Sequence, residues 1–156
     1  MSESKNPIPE GFHTVTAHLT IDGAANYIDF LKNAFNAVEL SRADGPGGKI
    51  MHAQVRIGDS FLMLNDYFPE FGANAFGKGA YPFTLHLYVK DADAAFAQAT
   101  NAGCKVSMPL ADQFWGDRYG VVDDPFGFRW SIATHKEDVA PADLEARVSK
   151  MFSAGK

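Results

Sequence analysis

Two histidines, His18 and His86, stand 68 residues apart in matching surroundings. Thr16, His18, Leu19, Ala24, Asn33, Ala34 and Val38 recur as Thr84, His86, Leu87, Ala92, Asn101, Ala102 and Val106, seven identities over the 25 positions from 14 to 38. An imidazole can hydrogen-bond a ligand, exchange protons near neutral pH or ligate a metal, so a ring delivered twice to one place on a repeated unit could do any of these. Successive strand residues point to opposite faces. If the face carrying Thr16 and Thr84 lines a cleft, both rings enter it; otherwise they are satisfied interior or interface histidines.

Other groups could share such a site. His52, Gln54 and Arg56 fall on one face of a strand, which either extends a cleft wall or faces solvent, and no carboxylate stands in that row to act as a general base. Phe114, Trp115, Asp117, Arg118 and Tyr119 mix ring surface with charge. A ring-lined pocket with the Arg118 fork would suit a planar or carboxylated ligand. The alternative is an Asp117–Arg118 surface pair with Trp115 packed on the domain. Asp123-Asp124-Pro125-Phe126-Gly127 reads as a structural turn whose Asp124 can bond turn amides. Cys104 has no neighbouring base, and His135 to Asp138 reads as a solvated charge run. Phosphate-loop and nucleophile-elbow motifs are missing.

Bulk composition narrows the classes. A chain of 156 residues, 46% apolar, is sized for one globular domain that needs no disulfide or metal to fold. Its net charge of −5, without a basic cluster, argues against nucleic acid or an anionic membrane as partner. A small neutral or modestly charged molecule fits better. The single cysteine and a polar N-terminus holding Pro7 and Pro9, with no apolar run of 18 residues, point to a reducing cytoplasm. Thirteen phenylalanines are many for this length and either fill a core or line a pocket.

The elements that must position these residues come in two sets. Residues 13–21 alternate as a strand with Val15, Ala17, Leu19 and Ile21 on one face, and Asp22 is placed to cap a helix bearing Ala24, Tyr27, Ile28, Leu31, Ala34 and Phe35. Strands follow at 38–42, 49–57 and 61–64, the first two separated by the turn residues 44–48. A second set repeats the order: strand 83–89, helix 91–102 stopped by Gly103, then strands 106–110, 119–122 and 128–134. The 68-residue offset carries from Thr16/Thr84 to Leu64/Ile132. Boundaries follow: tail 1–11, first βαβββ module 12–66, linker 67–82, second module 83–135 and C-terminal tail 136–156. The linker holds Gly72, Gly77, Gly79, Phe71 and Phe76, a length that marks functional or mobile loops. The tail helix from Pro141 carries Leu144, Val148, Met151 and Phe152 on one stripe, so it either covers its own domain or crosses to a second subunit.

The tandem modules, the stretch NYIDFLKNAFNA, and FWGDRYGVVDDPFGFRWSIATHKED together resemble the glyoxalase/bleomycin-resistance, or vicinal oxygen chelate, superfamily, most nearly its PhnB-like branch. The resemblance spans about residues 12–138. It implies modules curled around a cup, often with two chains per molecule. Metal-dependent members hold a divalent ion with His or Glu from the first and last strands, and counting from the motifs places Thr16, Met63, Thr84 and Ser131 there. Those are poor ligands for such an ion. A slip of two residues substitutes His18, Asn65, His86 and Ala133, two histidines without a carboxylate.

The expectation is therefore an α+β protein of two βαβββ modules around a cup plus a C-terminal helix. It forms a homodimer and binds a small organic ligand through His18, His86, Gln54, Trp115, Arg118 and Tyr119. No cofactor is expected, with a divalent metal as the open alternative. The competing function is a metal-dependent lyase, isomerase or dioxygenase, or an acid/base catalyst using the two histidines; a third is association through the C-terminal helix.

Overall fold

The computed structural model describes residues 7–68 and 83–153, and the chain divides into two compact units, Met1–Gly77 and Lys78–Lys156. Most of the linker, with Phe71, Gly72, Phe76, Gly77 and Gly79, lies outside the described residues.

In the first unit, β1 (Ala17–Ile21), α1 (Ala24–Phe35), β2 (Val38–Asp44), β3 (Ile50–Ile57) and β4 (Ser60–Asp66) build a sheet ordered β1-β4-β3-β2. Only β1 and β4 run parallel, as they must when a helix intervenes between β1 and the strands that follow. The second unit repeats this with β5 (Leu85–Tyr88), α2 (Ala92–Asn101), β6 (Lys105–Asp112), β7 (Asp117–Asp123) and β8 (Arg129–His135), ordered β5-β8-β7-β6. Two βαβββ modules are thus present, followed by α3 (Pro141–Ser153). Among the described residues no helix is long and apolar enough to cross a membrane.

Each core lies between a helix and one sheet face. Ala24, Tyr27, Ile28, Leu31, Ala34 and Phe35 are all buried, as their spacing predicts, against Leu19, Ile21, Ala53, Val55, Leu62 and Leu64. Burying a side chain of the Ile, Leu or Phe class is worth about 1.5–3 kcal/mol, so this stripe fixes which sheet face turns inward. The second core holds Ala92, Ala99, Val122, Phe128, Trp130 and Ile132. Asp124 organises its turn as expected, accepting from the amides of Phe126 (2.8 Å) and Phe128 (3.0 Å) and from Trp130 Nε1 (2.9 Å).

Three expectations need correction. The first strand begins at Ala17, and Val15, placed on the core face, is 88% exposed. Asp22 does not cap α1. Buried Asp66 at the end of β4 does, accepting from Gly23 N and Ala24 N at 2.9 Å each, while its other oxygen accepts from Ile50 N at 2.7 Å. Gly23, with φ 90°, itself occupies the N-cap position, so Asp22 stands one residue too early to cap. The repeat also loses its constant offset: Leu64 and Ile132 pair equivalently with β1 and β5, but Val55 opposite Leu62 corresponds to Val122 opposite Trp130, an offset of 67. The longer Asp124–Phe128 turn absorbs the extra residue.

The C-terminal helix is tied to its own unit. Arg147 donates to the Phe114 carbonyl at 2.9 Å and pairs with Glu137 at 2.9 Å, and Leu144 and Val148 are half-buried, while Met151 is exposed.

Candidate functional site

Alternation sorts the second sheet into two faces. Thr134 accepts from the Ala92 amide at 2.8 Å, a Cβ on Gly120 would collide with Phe96, and Arg118 pairs with Asp93, so these even-numbered residues face α2. The opposite face carries Asp117, Tyr119 and Val121 of β7, Ser131, Ala133 and His135 of β8, and His86 and Tyr88 of β5.

Asp117 is the charged centre of that face. Only 3% exposed, it accepts at one oxygen from Tyr88 Oη (2.9 Å) and Trp115 Nε1 (3.1 Å), and at the other from His135 Nδ1 (2.8 Å). Burial by itself would raise its pKa, but the hydrogen bonds from His135, Tyr88 and Trp115 outweigh burial and hold the carboxyl below its ordinary value. His135 Nε2 bonds Asp138 at 2.7 Å, and that bond, followed by the one to Asp117, raises the imidazole pKa.

Rings surround this carboxylate. Trp115 and Tyr119 meet edge to face with centroids 5.1 Å apart, Phe114 packs on Trp115 at 5.0 Å, and His86 lies 4.4 Å from Tyr88 and 6.0 Å from Tyr119, nearly parallel to the latter. His86 Nδ1 and Ser131 Oγ are 2.6 Å apart. Partial burial lowers the His86 pKa against an opposing pull from Asp117.

In the first sheet, the face turned from α1 gathers His18, Gln54, His52, Met63 and Asn65. His18 stands beside Met63, which stands beside Gln54, and the His18 and His52 rings are 6.0 Å apart. Asn65 Nδ2 donates to the Asp66 carbonyl, which turns Asn65 Oδ1 toward His18 Nε2 at 2.5 Å. His18 Nε2 therefore carries the proton.

The structure thus places His18 and Gln54 together on one sheet, and His86, Trp115 and Tyr119 together on the other. Arg118 joins neither group. It lies on the α2 side, bonded to Asp93 at 2.8 Å and Asp112 at 3.2 Å, so the anticipated Asp117–Arg118 pair does not form. Strand alternation sends these two neighbours to opposite faces. An open depression of ≈ 600 Å³ beside β2 is lined by Lys32, Glu39 and Arg42, whose charges pair with one another.

The residues fit a hard divalent ion poorly. Strand pairing sets His18, not Thr16, beside Met63, and His86, not Thr84, beside Ser131. Each module offers an imidazole next to a thioether or a hydroxyl, with no carboxylate beside it in the strand pairing. Among the described residues no group of three His, Cys, Asp or Glu is placed to hold a metal. Cys104 offers no nucleophile, because burial, with Asp124 and Asp123 nearby, pushes its thiol up to about 12.

Sequence reasoning passed over Tyr88, read His135 only as part of a solvated charge run, named Asn65 only as a ligand position after a two-residue slip, and did not see Asp117 as a hub. Tyr88 was within reach, since it follows His86 by two residues on the same strand face. His135 meets Asp117 only through the pairing of β7 with β8.

Two βαβββ modules of identical strand order, each with a sheet face turned from its helix, define a class of tandem α+β proteins. The chain belongs to the Glyoxalase/Bleomycin resistance protein/Dioxygenase superfamily, whose model matches residues 12–132. It is 46% identical over 139 residues to the uncharacterized protein Mb0911c of Mycobacterium bovis, covering 86% of this chain and 91% of that one. Among solved structures it is similar to TioX from Micromonospora sp. ML1, with TM-score 0.61, 25% identity and coverage of 78% and 98%. A PhnB protein from Bacillus cereus shares the fold at TM-score 0.63 and 15% identity, covering 78% of this chain and 99% of its own.

Proposed function

We propose that this protein binds a small organic molecule on the aromatic face of its second module and does so without a metal at the strand histidines. The observation that carries this reading is the set of rings of His86, Tyr88, Trp115 and Tyr119 gathered over one buried carboxylate. Such rings supply large contact area at low cost in side-chain entropy, and hydrogen bonds to Asp117 fix two of them before any ligand arrives. Arg118 is withdrawn, so its guanidinium does not contribute. The metal-dependent lyase, isomerase or dioxygenase reading would need His or Glu where Met63 and Ser131 stand.

A thermal-shift screen of small aromatic and aliphatic compounds, followed by calorimetry, tests the binding reading. Binders should lose affinity about tenfold or more in Trp115→Ala, in line with the weight of a buried aromatic contact. Binders indifferent to Trp115→Ala and His86→Ala would place the site elsewhere. Elemental analysis of protein purified without chelators or affinity-tag metal tests the second half: one divalent ion per chain, lost in His18→Ala or His86→Ala, overturns the metal-free reading.

We further propose that two copies associate through their sheet edges. Val38 and Leu40 on edge strand β2 and Val106 and Met108 on edge strand β6 are 42 to 50% exposed, and uncovered edges with apolar side chains favour pairing. Solution mass of the full chain and of residues 1–138 separates a dimer held by strands from one clasped by α3; a monomer in both refutes association.

A further inference from the structure

The aromatic face has a sign of charge as well as a shape. We infer that the ligand of this face is a planar organic cation, a deduction that rests on the binding reading above and adds the ligand's charge class to it. Asp117 is the source. Tyr88 and Trp115 both donate to its Oδ2, so two ring systems are hydrogen-bonded to a full negative charge while their faces remain available. Donation to a carboxylate pushes electron density into the phenol and the indole, which deepens the negative potential over their faces. Tyr88 is 64% exposed and Trp115 half-buried, so a ligand can reach those faces while the carboxylate itself stays covered.

The neighbouring charges point the same way. Arg118 is held on the other side of the sheet by Asp93 and Asp112, and the Arg147 guanidinium, which reaches the Phe114 carbonyl, is neutralised by Glu137 at 2.9 Å. His135 sits between two carboxylates, Asp117 and Asp138, so that cluster stays net negative even when the imidazole is charged. Partial burial lowers the pKa of His86, the ring 4.4 Å from Tyr88, and so disfavours its charged form, against an opposing pull from Asp117. Asp117 acts through Tyr88 and Trp115 and is a positioning residue.

Calorimetry with three flat bicyclic probes of similar size tests the assignment at pH 8: N-methylquinolinium as cation, quinoline as neutral molecule and 1-naphthoate as anion. The cation should bind about tenfold tighter than quinoline, and naphthoate more weakly than either. In Asp117→Asn the preference for N-methylquinolinium over quinoline should fall toward unity, a ratio that general loosening of the site would not move selectively. Should Asp117→Asn fail to fold, Tyr88→Phe removes one of the two donors and should reduce the same ratio. Equal affinity for cation and neutral probe, or tighter binding of naphthoate, overturns the cation assignment and leaves the aromatic binding reading standing. Failure of all three probes to bind overturns the assignment as well, and the compound screen with Trp115→Ala then judges the binding reading separately.

Discussion

His135 donates its Nδ1 proton to Asp117 at 2.8 Å across the β7–β8 ladder, where the two residues are direct register partners. The contact joins a half-exposed imidazole to a carboxylate that is 3% exposed, and through that carboxylate to Tyr88 and Trp115. One buried charge therefore holds two of the rings and the end of the last strand.

Asp117→Asn should destabilise the protein by about 2–4 kcal/mol, because hydrogen bonds to a buried charged group are worth about 1.5–3 kcal/mol each and a carboxamide cannot accept from all three donors. Urea denaturation measures it. A change below about 0.5 kcal/mol would contradict the role of Asp117 as a hub.

Stability should depend on pH through two histidines in opposite senses. His135 has its pKa raised by Asp138 and Asp117, so its contribution is full below the unfolded value of about 6.5 and is lost as pH rises through the higher folded value. His135→Gln should lose more stability at pH 5.5 than at pH 9. His86 has its pKa lowered by burial, so the unfolded chain takes up the proton first and stability falls as pH drops below about 6.5. In His86→Gln this acid-side loss should shrink. Urea midpoints between pH 5 and 9 for the wild type and both variants check the signs.

The start of α1 depends on Asp66. Asp66→Ala removes acceptors from Gly23, Ala24 and Ile50 amides and should cost about 2–4 kcal/mol, whereas Asp22→Ala should stay within about 0.5 kcal/mol. Comparable losses in the two variants would refute the cap assignment.

Gly116 precedes Asp117 with φ +104°, and a Cβ there would overlap the Glu137 carbonyl oxygen. Its own carbonyl accepts from the Lys136 and Glu137 amides at 2.9 and 3.0 Å, so the Trp115 turn is buttoned to the chain after β8. Gly116→Ala should destabilise by more than about 2 kcal/mol through strain and collision together. It should also weaken binding at the aromatic face, measured with any probe the wild type accepts.

What the sequence determined by itself was everything periodic. The apolar stripe of α1, the strand alternation and the 68-residue repeat are local patterns, and they correctly imply two βαβββ modules because each pattern leaves one face that must be buried. Asp124 was legible too, since an Asx turn closes within four residues. Tertiary structure alone decided the partners. Asp66 reaches its helix across 42 residues, His135 reaches Asp117 across 18, and the extra turn residue after Val122 decides which β7 side chains share the row of Ser131. Such choices depend on strand register and turn length, where one residue sends a side chain to the opposite face, and so Asp117 came to the rings while Arg118, its neighbour in sequence, went to α2.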